Sequence, residues 1–260
     1  MSDLQGCVAV ITGAASGLGL AFSEALSAQG ANLVLADINE VDGRSAQQRI
    51  TAAGGVAIFQ MADISRRQEA RALVDAAVTR FGHIDILINN AGLQHISPLH
   101  EFDEDRWDYL ISVMLTGPFL LTRYALPHMM ARKQGRIINI GSIHSLVASE
   151  YKSAYVAAKH GLLGLTKVTA LEGGPHNVTC VAVCPSYVRT PLVERQIAAQ
   201  ARQHNLPESE VTEQIMLAPA SIKRLIEPSE IGALILYLCG STAQAITGTA
   251  ISIDCGWTAR

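Results

Sequence analysis

Seven short apolar runs punctuate the chain, at 7–12, 32–37, 56–61, 84–89, 135–140, 178–184 and 249–254. Their apolar residues are consecutive rather than alternating, the pattern of parallel strands covered on both faces. The segments between them carry helical spacing. Leu18, Phe22, Ala25 and Leu26 mark one stripe in 17–29, and Leu73, Val74, Ala77 and Phe81 mark another in 66–81. The alternation predicts an α/β fold: a doubly wound, seven-stranded parallel sheet of the Rossmann type. No Pro/Gly/Ser-rich linker or repeat divides 1–260, so one domain is expected. Between about 190 and 222 the rhythm breaks. Charges at Glu194, Arg195, Arg202, Glu208, Glu210 and Glu213 leave too few apolar positions for a core strand. We read that stretch as a small helical lid insertion over the carboxyl ends of the strands, where open α/β sheets bind ligands.

Composition narrows the partners. Lys and Arg number 20 against 23 Asp and Glu in 260 residues, and no basic run appears, so nucleic acid is not an expected partner. With 49% hydrophobic and 17% charged residues, the chain can bury a large core. The longest charge-free stretches, 110–122 and 173–188, are broken by Gly or Pro and fall short of the roughly 20 apolar residues a bilayer requires. Residues 1–6 carry no leader pattern. Five cysteines without a CxxC pair point to reduced thiols, a cytoplasmic protein and no metal site.

The first strand runs into Thr12-Gly13-Ala14-Ala15-Ser16-Gly17-Leu18-Gly19, which opens a helix. A glycine-rich strand-to-helix turn lets backbone amides approach a pyrophosphate, and the helix N-terminus adds positive potential. Asp37 ends the second strand, 24 residues beyond Gly13. A carboxylate there binds ribose hydroxyls and repels a 2′-phosphate, and neither Ala14, Ala15, Ile38 nor Asn39 supplies a compensating cation. NAD is the expected cofactor. Asp63-Ile64 after strand three and Asn89-Asn90-Ala91-Gly92 after strand four fit the adenine and the rest of the nucleotide, or are simple turns.

Of six tyrosines only Tyr155 has a lysine four residues on, Lys159, on the same helical face. A nearby ammonium favours the phenolate and brings tyrosine toward use as an acid/base. Ser142, just past strand five, can bond the same reacting oxygen. Around that oxygen fall Gln94, His144 (two residues after Ser142, on its side if the chain is extended), Lys152 (about one turn before Tyr155) and Gln196 in the lid. One cation and three neutral hydrogen-bonding groups suit a small carboxylate.

In that order and spacing, Thr12-Gly-x-x-x-Gly-x-Gly19, Asn89-Asn-Ala-Gly92, Ser142 and Tyr155-x-x-x-Lys159 resemble the short-chain dehydrogenase/reductase family over essentially the whole chain. The resemblance implies hydride transfer at the nicotinamide. Tyr155 is then the acid/base, Ser142 its partner on the substrate oxygen, and Lys159 a ribose ligand that tunes Tyr155. Pro185, Val188 and Thr190 complete the cofactor contacts. Gln94, His144, Lys152 and Gln196, with Trp257 as an aromatic contact, resemble the carboxylate pocket of members that oxidise (R)-3-hydroxybutyrate to acetoacetate. The family also suggests a homotetramer, built on the helix bearing Tyr155 and on the last helix and strand. Three positions depart from the pattern. Met114 stands where the family usually has an Asn that holds a relay water, and Ser186 and Cys255 stand where glycine is common. Two other readings stay open: a short-chain reductase for another small hydroxy acid or sugar-derived alcohol, and a catalytically weak NAD-binding sensor.

Overall fold

The computed structural model describes residues 4–259. Strands β1 (Val8–Thr12), β2 (Asn32–Asp37) and β3 (Val56–Met61) alternate with helices α1 (Gly17–Ser27), α2 (Glu40–Ala52) and α3 (Arg67–Phe81). β4 (Ile86–Asn89) leads into α4 (Glu104–Ile111), a π turn at Ser112–Thr116 and α5 (Gly117–Arg132). After β5 (Gly135–Ile140), α6 (Ser153–Gly173) and β6 (Val178–Pro185) come α7 (Pro191–His204), α8 (Glu208–Val211), α9 (Pro228–Cys239) and β7 (Ala250–Ile253). The sheet order is β3-β2-β1-β4-β5-β6-β7, and every pairing is parallel. The chain winds outward from β1 in one direction and from β4 in the other, so a crevice opens at their carboxyl ends.

The uninterrupted apolar runs have a direct cause. Ala9 and Ile11 of β1 pack into the layer holding Phe22, Leu26 and Ile235, while Val10 between them enters the opposite layer with Leu73, Leu121 and Met129. Both faces of the strand are buried, so neither tolerates a polar side chain. One polar chain does cross the centre. Asn89 Nδ2 donates to Asn139 Oδ1 at 2.8 Å, and Asn139 Nδ2 donates to Thr166 Oγ1 at 2.8 Å. These bonds tie β4 and β5 to the fourth turn of α6.

Two expectations change. The charge-free runs understate the apolar helix: 104–132 forms one helical rod of 29 residues, long and apolar enough by composition to cross a bilayer, yet half of its most apolar window is buried inside the protein. The π turn joins segments that look separate in the sequence. The stretch after residue 190, sparse in apolar positions, nonetheless has a core of its own, in which Val193, Ala201, Val211 and Met216 surround Tyr187. Its two ends meet where Val188 bridges Ile226, with Ile226 N–H donating to Tyr187 O at 2.9 Å and Arg189 N–H to Ile226 O at 2.9 Å.

Candidate active site

A cavity of about 460 Å³ fills the crevice. Every site residue expected from the sequence lines it except Gly19 and Trp257. At the β1 end the groups are already paired with one another. Thr12 Oγ1 accepts the Asn90 and Ala91 amides at 3.0 and 3.1 Å, and Asn90 Nδ2 donates to the carbonyls of Thr12 and Gly13 at 2.9 and 3.2 Å. Gly13 sits at φ +63°, and a Cβ there would lie 3.0 Å from both Ala91 Cα and Asn90 Nδ2. Gly19 serves packing: a side chain would run into the Gly13 carbonyl, so its lack of one lets α1 close on the turn. Ser16, the residue before α1, places no side chain on the helix amides, and no acidic residue occupies the first turn. The α1 N-terminus is thus open to an anion from the cavity. Asp37 is held by the Ala15 amide at 3.0 Å and the Asn39 amide at 3.0 Å, with its carboxylate on the cavity wall. Asp63 is more committed: Ser65 bonds it through N–H and Oγ, and Arg66 lies 3.3 Å away, so it shapes the turn into α3 while lining the cavity. These features fit a dinucleotide.

The other end is built from buried side chains. Tyr155 and Lys159 lie one turn apart on α6, with Lys159 Nζ 5.5 Å from the Tyr155 ring centre and donating to Ile140 O at 2.7 Å. Burial draws the Lys159 pKa down to about 8, against a partial rise from Cys184. Burial also pushes the Tyr155 phenol up to about 12, and a hydrogen bond with Ser142 pulls it back in part. Desolvation thus sets the direction of the Tyr155 shift, and the partial lowering comes from Ser142 rather than from the ammonium four residues on. Ser142 begins a single 3₁₀ turn, Ile143–Ser145, rather than an extended segment. The turn still presents both Ser142 and His144 to the cavity.

Lys152 is only 4% exposed. Its Nζ donates to Tyr187 Oη at 3.1 Å and lies 3.5 Å from His144 Nε2, and among the described residues no carboxylate pairs with it. It also precedes the first turn of α6, where the helix dipole disfavours a cation. Burial lowers His144 to about 3, assisted by Lys152 and His160, so the imidazole is neutral. Its Nδ1, like Gln94 Nε2, is buried without a partner. Gln196 reaches the cavity from α7 and is nearly as buried. Trp257 stands outside the cavity, edge-on to His144 at 6.2 Å, and donates its indole N–H to Met216 O at 3.0 Å.

Residues 7–201 match the family model described as short chain dehydrogenase. The chain belongs to this family. The dehydrogenase is 42% identical to a D-beta-hydroxybutyrate dehydrogenase of Cupriavidus necator over 99% of this chain and 100% of the relative. It is 44% identical to the Rhizobium meliloti protein of that name, over 97% and 98%. A trans-4-hydroxycyclohexanecarboxylate dehydrogenase of Sinomonas cyclohexanicum is 39% identical over 97% and 93%. As a short-chain dehydrogenase this protein is an oxidoreductase that works with a nicotinamide cofactor.

Several features of the dehydrogenase escaped the sequence reading. Tyr187 is the Lys152 partner, and its place two residues after Pro185, ahead of Val188, was the available signal. Arg195 lines the cavity mouth beside Gln196. Met114 is fully buried in the π turn. Pro118, four residues on, has no N–H, so the Met114 carbonyl lacks its α-helical donor. Cys255 adopts φ +58°, the left-handed region, which explains why glycine suits that position.

Proposed function

We propose that this dehydrogenase oxidises (R)-3-hydroxybutyrate to acetoacetate with NAD, the named activity of two relatives that align along its length. The observation that carries this reading is Lys152, a buried cation with no counter-charge among the described residues, in the same cavity wall as the orphaned polar atoms of Gln94 and His144. Such a group is costly until an anion arrives. A substrate carboxylate on Lys152 takes hydrogen bonds from Gln94, Gln196 and the His144 Nδ1–H. That grip leaves the hydroxyl of a short acid at Tyr155 and Ser142.

A nicotinamide held by Lys159 and the Pro185–Thr190 wall would supply the acceptor for the hydride of the carbinol carbon. Tyr155, as phenolate, takes the hydroxyl proton, and Ser142 donates to the same oxygen. With a phenol raised by burial, oxidation gains as pH rises, and reduction uses the neutral phenol as acid. Lys159 holds the nicotinamide ribose and steadies the phenolate. Asp37 holds the adenosine ribose and repels a 2′-phosphate, which selects NAD over NADP. Gly13, Ser16, Gly17, Leu18, Asp63, Ile64, Asn90, Ala91, Gly92, Pro185, Val188 and Thr190 supply the remaining cofactor wall. Met114 does not break the proton path in this reading, because a main-chain carbonyl of the π turn, free of the α-helical donor that Pro118 cannot supply, can seat the relay water. The 190–222 segment acts as the lid, and the enzyme is a cytoplasmic homotetramer of single-domain subunits.

The test is NADH formation by purified protein with (R)-3-hydroxybutyrate, its (S) enantiomer, trans-4-hydroxycyclohexanecarboxylate and a sugar alcohol, each with NAD and with NADP. The reading requires the highest kcat/KM for the (R) acid with NAD. A higher value for the ring acid or the sugar alcohol overturns it.

A further inference from the structure

A second cavity, of 280 Å³, lies at the opposite end of the sheet from the cofactor crevice. Its lining includes Arg136, the second residue of β5, whereas Ser142 follows the last residue of that strand. Arg136 is 6% exposed. Its Nη1 donates to the neighbouring Gly135 carbonyl at 2.8 Å and, more distantly, to Asn177 O at 3.4 Å. Its Nε is buried with no partner. Among the described residues no ion pair includes it, although eight others form between arginines and carboxylates. Asp85 shares the cavity wall, but its carboxylate is already taken by the Val8 amide at 2.9 Å, His83 at 2.9 Å and Arg132 at 3.4 Å.

A buried guanidinium that no described residue neutralises is satisfied by water only in part, because water supplies hydrogen bonds but no charge. Its planar fork matches two oxygens of an oxyanion. The exposed side chains of Gln134, Ser241 and Gln244 at the cavity rim add neutral hydrogen-bonding capacity. The thiols of Cys7 and Cys239 stand near the guanidinium, and burial raises the Cys239 pKa to about 12, which keeps that thiol neutral rather than a counter-ion.

We propose that the Arg136 cavity binds a small oxyanion, a carboxylate or inorganic phosphate, at a site separate from the catalytic one. The site does not depend on the substrate assignment. Arg136 clamps the anion through its free edge, and the rim amides complete the shell.

The test is thermal unfolding of the NAD-saturated protein in increasing inorganic phosphate or acetate, at ionic strength held constant with chloride. Bound NAD keeps phosphate off the α1 N-terminus. Wild type should rise along a saturating curve, by about 5 °C at a hundredfold excess over half-saturation. Arg136→Gln should lose the saturating part, Arg136→Lys should keep a weaker one, and Asp75→Asn, at an exposed acid that lines neither cavity, should retain it in full. Whichever anion saturates at lower concentration identifies the preferred chemistry. Equal rises in wild type and Arg136→Gln overturn the proposal, as does loss of the rise in Asp75→Asn. Should Arg136→Gln fail to fold, crystals grown in selenate decide: an anomalous peak beside Arg136 supports the site, and its absence there overturns it.

Discussion

The two ends of the crevice solve opposite problems. At the β1 end, Thr12, Gly13 and Asn90 satisfy one another and the Ala15 and Asn39 amides hold Asp37, so the surface is finished before a ligand arrives. At the α6 end, Lys152, His144 and Gln94 keep charge or polar atoms buried and uncompensated. The first arrangement is a rigid cradle that tolerates an exchangeable cofactor. The second holds its polar groups in readiness and recovers the cost only from a ligand of matching charge, which is how a site becomes selective.

The sharpest blow to the α6 end is Tyr155→Phe. We expect kcat to fall about a thousandfold with NAD affinity unchanged, measured by steady-state rates and cofactor fluorescence titration. Lys152→Met should lower kcat/KM about a hundredfold, chiefly through KM, since a hydrogen-bonded charge contributes about 3 kcal/mol. Unchanged KM in that variant would place the carboxylate elsewhere.

His144 gives the contrast a pH dependence. Its folded pKa, about 3, lies below the ordinary 6.5, so the unfolded chain binds the extra proton between those values. The stability from keeping His144 neutral is whole above pH 6.5 and declines as pH falls toward 3, by about 2 kcal/mol at pH 5. Urea midpoints at pH 7 and pH 5 should differ less in His144→Asn than in wild type.

On the cofactor side the effects should be milder. Asp37→Ala should cut the preference for NAD over NADP about tenfold by removing the repulsion of a 2′-phosphate. Met114→Asn should change turnover less than about threefold if the main-chain carbonyl carries the relay. A large gain there would show that wild type lacks one.

The cradle was legible in the sequence because its chemistry is local. Gly13, Gly17 and Asp37 signal by conformation and by position at strand ends, and the same runs that gave the seven strands place them. The α6 end was legible only as residue types. That no described carboxylate pairs with Lys152, or that Tyr187 is its partner, depends on the ends of β6 and α6 meeting across 35 residues of chain. The Tyr155 pKa was misjudged for a related reason: the i, i+4 spacing shows the ammonium but not the depth of burial that raises the phenol. The Ser142–His144 segment curls into a 3₁₀ turn because Ser142 and Ser145 cap each other, a pairing masked by an otherwise strand-like run. The rod at 104–132 was missed because charge-free stretches were counted, while a helix continues through charges that face solvent.

The bridge between Val188 and Ile226 has a consequence for how this protein can change over generations. Its two strands of backbone hold the stretch between them as a closed cassette, with exit and entrance already side by side. Lengthening or replacing such an excursion adds little loop-closure entropy and leaves the sheet register alone. New substrate preferences can therefore be spliced in at one address, while the nucleotide cradle on the far side of the crevice is inherited intact.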